Sequence, residues 1–124
     1  MTCANERARW GKQAEDWACE LLRARGAEIL QRNFRRRCGE LDLVALHAGV
    51  LLIVEVRLRR HRKFGGAAAS ITFAKQQRLV RTTQVWLQVH PDYAHYPVRF
   101  DVIAIEPSTE GRWRRQWLPH AFTC

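Results

Sequence analysis

Between Glu40 and Arg57 two apolar runs, each carrying isolated charges, flank a small-residue break: Glu40-Leu-Asp42-Leu-Val-Ala-Leu-His47, Ala48-Gly49, and Val50-Leu-Leu-Ile-Val-Glu55-Val-Arg57. Gly49 readily takes the positive φ of a tight turn, so the pattern predicts strand, turn, strand. With an even-numbered loop centred on Ala48-Gly49, His47 pairs with Val50 and every cross-strand pair sums to 97. Asp42 then faces Glu55 and Glu40 faces Arg57. All four share one face, because side chains alternate along a strand.

The rest of the pattern supplies a frame for this hairpin. Residues 5–25 predict an amphipathic helix, with Ala14, Trp17, Ala18, Leu21 and Leu22 as its apolar stripe and Gly26 as its stop. At roughly 100° per residue, Glu15 falls at the margin of the stripe, with Asp16 and Glu20 on the far side. Residues 28–34 predict a strand, followed by the basic connector Arg35-Arg36-Arg37. After Arg57 comes a basic loop carrying Arg59, Arg60, Arg62 and Lys63 and ending in Gly65-Gly66.

A second helix is predicted from Ile71 to Val89 by Leu79, Val80, Thr83, Trp86 and Leu87, with Pro91 ending it. Gln76 continues this inward line beside Lys75, as a core-edge residue with a backbone partner or as a polar helper to the acids. Residues 98–106 predict a strongly apolar strand, and 112–117 an edge strand. Trp113, Arg115 and Trp117 would share a face of it, either stacking on bases or packing on the domain. Helix, three strands, helix, strand, strand describes one α/β domain over residues 1–124, with helices flanking a mixed central sheet.

Lysine and arginine number 21 against 12 aspartate and glutamate, a net charge of +9. Such a balance favours a polyanion, nucleic acid before an anionic membrane surface. No apolar run is long enough to span a bilayer and the start is polar, so the expected location is the cytoplasm. Cys3, Cys19, Cys38 and Cys124 are scattered, without zinc-ligand spacing or a disulfide framework, and are read as reduced thiols.

Composition leaves the chemistry to the hairpin. Opposed side chains have Cβ atoms about 4.5–5.5 Å apart, a range at which two carboxylates repel unless a cation lies between them. Glu55 inside Val54-Glu55-Val56 is costly unless it is paired or bound. Either a hard divalent cation joins Asp42 and Glu55, or the charges mark strand ends and Arg57 neutralises Glu40.

With Ala14-Glu15, Ile29 to Phe34, Gly39-Glu40-Leu41-Asp42-Leu43, Val54-Glu55-Val56-Arg57, Phe64-Gly65, Lys75 with Arg78, and Arg99-Phe100-Asp101-Val102 in view, the chain resembles the YraN family. These are small bacterial proteins of the PD-(D/E)XK nuclease superfamily, similar to archaeal Holliday-junction resolvases. The resemblance spans about residues 8–106 and implies a restriction-endonuclease-like fold.

By position it implies Asp42, Glu55 and the Val56 carbonyl as ligands of Mg²⁺ or Mn²⁺, Glu15 as a first-helix acid, and Arg57 in place of the motif lysine. Arginine can steady phosphate charge but stays protonated, so the departure bears directly on turnover. The implied activity is metal-dependent hydrolysis of DNA, branched or single-stranded by analogy. Arg35, Arg36, Arg37, Arg59, Arg60, Arg62, Lys63, Lys75 and Gln76 would line the nucleic-acid path. Resolvase analogy adds a homodimer. The alternatives are a catalytically silent nucleic-acid-binding protein of the same fold, and an interaction protein whose acids are structural ion pairs.

Overall fold

The computed structural model describes residues 3–58, 71–107 and 112–122, with side chains from residue 11 onward. Helix α1 spans Cys3–Ala24, strands β1, β2 and β3 span Glu28–Arg36, Gly39–His47 and Val50–Leu58, and helix α2 spans Phe73–Val89. A short 3-10 turn at Pro91–Tyr93 leads to β4 (Val98–Pro107) and β5 (Trp113–Phe122). The strands form one sheet in the order β1-β2-β3-β4-β5. All neighbours are antiparallel except β3 and β4, which run parallel through the α2 crossover. This is the restriction-endonuclease-like α/β arrangement.

Strands β3 and β4 read as largely apolar runs because both of their faces are covered. Leu52, Val54, Ile103 and Ile105 meet Ala14, Ala18, Cys19 and Leu22 of α1, while Leu51, Ile53, Phe100 and Val102 meet Leu79 and Trp86 of α2. Cys19 and Cys38 are free thiols.

Helix ends follow local chemistry. Beyond α1, Gly26 at φ 90° donates to Arg23 O and Ala27 donates to Leu22 O, a Schellman stop. Helix α2 begins two residues after Ile71, because the Thr72 hydroxyl caps it by accepting from Lys75 N at 3.2 Å.

Strand β5 extends five residues past the expected Trp117. Its Trp113–Arg115–Trp117 face is turned toward α1: Trp113 lies 6.5 Å from Trp17, and Arg115 reaches Trp17 O and Glu20. Trp117 packs on the α1-side core and donates to Asp101. Packing on the domain accounts for Trp117, while Trp113 stays 38% exposed beside Trp17.

Gly39, at φ 153°, opens β2 beside α2, and a Cβ there would stand 2.9 Å from the Thr82 hydroxyl oxygen. That hydroxyl donates to Arg78 O at 2.7 Å and cannot simply turn away. Gly39→Ala is expected to cost about 1–3 kcal/mol in denaturant unfolding, and Thr82→Ala to remove part of that cost in a double-mutant cycle.

Candidate active site

The β2–β3 ladder has the expected register from Leu43↔Val54 to His47↔Val50. Ala48 and Gly49 both take positive φ at its turn. At the other end the pairing gives way to a side chain: Val56 N donates to Asp42 Oδ2 at 3.0 Å. Alternation breaks at the same point, since Leu41 lies in the α2-side core and Leu43 in the α1-side core. The expected Glu40–Arg57 pair is replaced, because the strands have parted before reaching it. Glu40 binds Arg35 at 3.1 Å, and Arg57 leans along its own strand to within 4.0 Å of Glu55.

Asp42 and Glu55 are brought together where the strands part. The Glu55 side chain is 4% exposed, and its Oε1 meets Lys75 Nζ of α2 at 3.1 Å. Its Oε2 is buried with no hydrogen-bond partner, as is Arg57 Nε. Burial first, then the Glu55 charge, push the Asp42 pKa up to about 7, against the lowering effect of the Val56 N–H.

A buried carboxylate oxygen without a donor, beside a second carboxyl reluctant to ionise, is a site short of positive charge. Two such carboxylates suit Mg²⁺ or Mn²⁺, since a hard cation of this size is bound through one or two carboxylates and keeps several waters. Among the described residues no group of three histidine, cysteine, aspartate or glutamate side chains is placed to hold a metal. A third protein donor would have to come from the backbone, such as the Val56 carbonyl.

Glu15 shares a cleft of about 630 Å³ with Asp42, Val56, Lys12 and Arg35. Its Oε1 is occupied by Arg32 Nε at 3.2 Å and Asn33 Nδ2 at 2.9 Å. Arg32 also binds Asp16 at 2.7 Å, so this second acid of α1 reaches the same cluster from what the helical wheel made the far side. Asn33 holds φ 53°, a conformation asparagine tolerates better than most residues.

Of the basic residues, Arg35, Arg36 and Arg37 are exposed, with Arg36 lying 4.1 Å from the centre of the Phe34 ring. Gln76 donates to Ile71 O at 3.2 Å, the core-edge role with a backbone partner. Arg59, Arg60, Arg62 and Lys63 lie outside the described residues. Sequence reasoning missed Lys12 and Arg32, which sit on exposed or alternating positions that give no local signal. Among the described residues no helix is long and apolar enough to cross a membrane.

Comparison with known proteins gives this arrangement relatives. A UPF0102 protein of Pseudomonas putida strain GB-1 is 46% identical over 116 residues, covering 94% of each chain. Another from Pseudomonas putida strain KT2440 is 44% identical over the full length of both. A UPF0102 protein of Alcanivorax borkumensis is 42% identical over 112 residues, 90% of each chain. The family model described as uncharacterised protein family UPF0102 matches residues 14–105, and the chain belongs to that family, the YraN proteins.

Proposed function

We propose that this protein is a metal-dependent nuclease that hydrolyses phosphodiester bonds of DNA in the cytoplasm. The observation that carries the reading is the buried Asp42–Glu55 pair with its unpartnered Glu55 Oε2. Asp42, Glu55 and the Val56 carbonyl would hold Mg²⁺ or Mn²⁺. When bound, such a cation lowers the pKa of a coordinated water and neutralises charge on the phosphoryl group.

The chain's own side chains do the rest. Arg57, at the rim with its Nε unsatisfied, offers donors to a phosphate oxygen and steadies charge developing there. Lys75 balances Glu55 from the α2 side. Arg35, Arg36 and Arg37 hold the backbone without reading bases. Glu15 orders the cleft wall through Arg32 and Asn33.

One observation favours a second reading, a nucleic-acid-binding protein without turnover: Glu55 already has Lys75 as a partner, and the neighbouring strand position holds arginine, which does not release a proton. The test is cleavage of labelled single-stranded, duplex and branched DNA with Mg²⁺ or Mn²⁺. Wild type is expected to cleave, with Glu55→Gln at least about 100-fold slower, the scale of losing a group that stabilises developing charge. Arg57→Lys faster than wild type would identify arginine as the limiting residue. DNA binding without cleavage by wild type or Arg57→Lys would leave the second reading.

A further inference from the structure

The candidate site lies between two clefts on opposite faces of the sheet. On the α1 face, Lys12, Arg35, Glu40, Asp42 and Val56 line the larger one. On the α2 face, Arg35, Arg36, Glu40, Lys75 and Arg78 line a second, of about 340 Å³. Arg35 and Glu40, joined at 3.1 Å, belong to both and form the ridge between them at the end of β1 and β2.

The second cleft holds four cationic side chains against one acid, and the Arg78 guanidinium has no carboxylate partner among the described residues. Lys75 connects it to the acid pair through its contact with Glu55. A cleft with this charge suits phosphodiester backbone.

We infer that the two clefts form one continuous path for a single polynucleotide strand, which passes over the Arg35–Glu40 ridge with the acid pair beside its bend. Lys12 contacts the backbone on one side of the ridge, and Arg36 and Arg78 contact it on the other. Rounding the end of a sheet from one face to the other within a few nucleotides requires a flexible chain. Duplex DNA, with a persistence length of about 150 base pairs, does not follow such a turn. The inference rests on the nucleic-acid reading above and narrows its substrate to single-stranded DNA.

The test is binding in EDTA, followed by fluorescence anisotropy, of a labelled oligothymidylate of about 15 nucleotides and of a duplex of equal length. The single strand is expected to bind at least about 10-fold tighter. Lys12→Ala and Arg78→Ala should each weaken it about 3- to 10-fold and reduce the slope of log affinity against log salt by about 0.7 to 1. Arg23→Ala, an equal charge change on an exposed residue lining neither cleft, should leave both quantities near wild type.

Duplex binding as tight as single-strand binding, or equal losses in Arg23→Ala and Arg78→Ala, would overturn the path. Single-strand binding of the expected pattern without metal-dependent cleavage would remove the nuclease reading and leave the path standing. Absence of nucleic-acid binding would remove both.

Discussion

Asp42→Asn is expected to stabilise the metal-free protein at pH 8, by up to about 4 kcal/mol, while abolishing metal-dependent cleavage. The Asp42 carboxyl titrates near 7 in the fold against an ordinary 3.8. Because the folded value is raised, the native state holds a proton that the unfolded chain has already released. Stability therefore falls as pH rises from about 4 to 7 and stays low above that.

At about 1.4 kcal/mol per pKa unit a rise of about three units corresponds to roughly 4 kcal/mol, most of it from burial and the neighbouring Glu55 charge. Asparagine keeps an oxygen for the Val56 N–H and carries no charge to repel Glu55. Denaturant unfolding in EDTA at pH 5 and pH 8 measures the difference: the wild type should lose stability between the two and Asp42→Asn should not. Adding Mg²⁺ at pH 8 should restore the wild type and leave the variant unchanged. A wild type equally stable at both pH values in EDTA would mean that Asp42 and Glu55 are not in electrostatic conflict.

The second large effect lies one strand over, at Asp101 of β4, whose ladder partner on β3 is Val54. Asp101, with a side chain 0% exposed, accepts Arg99 Nε and a terminal guanidinium nitrogen at 2.9 and 2.8 Å. It also accepts Trp117 Nε1 at 2.7 Å and His120 N at 3.1 Å. One carboxylate thus ties β4 to β5 where their register shifts between Phe100 and Val102, and where His120 holds φ 54°.

Asp101→Ala would leave an arginine and two N–H donors without their acceptor, and breaking a buried pair from one side costs about 3–5 kcal/mol. Hydrogen exchange should report it most strongly in β5, whose amides are expected to lose protection before those of β2 and β3. Trp117→Phe, which removes a single donor and keeps a smaller aromatic ring, should cost less, about 1–3 kcal/mol. Equal protection of β5 in wild type and Asp101→Ala would show that the strand is held by its ladder alone.

The hairpin register was legible because it depends on local features: a turn that only a few residues make easily, and apolar residues whose period is fixed by the strand. The helices were legible for the same reason, through stripes at helical spacing and the stops at Gly26 and Pro91. Glu55 announced itself as an acid inside an apolar run, and Asp101 carries the same signal in Val-Arg-Phe-Asp-Val, although only Arg99 among its partners is local and the other two lie 16 and 19 residues further on.

Other features had no local signal. That Glu40 pairs with Arg35 instead of Arg57 follows from the parting of β2 and β3, which the ladder itself does not predict. That Trp113, Arg115 and Trp117 turn toward α1 follows from the position of β5 beside β4. The ion pair between Lys75 and Glu55 requires α2 to cross the sheet on one face and deliver its first turn to the acids.

The sequence by itself determined the elements and the hairpin register from the turn to Leu43 and Val54, because periodicity, turn chemistry and side-chain alternation act over a few residues. Only the tertiary structure decided the environment of the Asp42–Glu55 pair: the depth that raises the Asp42 pKa, the partner left missing at Glu55 Oε2, and the two clefts meeting at Arg35 and Glu40. Those properties arise from which distant surfaces pack together, and desolvation and charge coupling depend on that packing more than on neighbours along the chain.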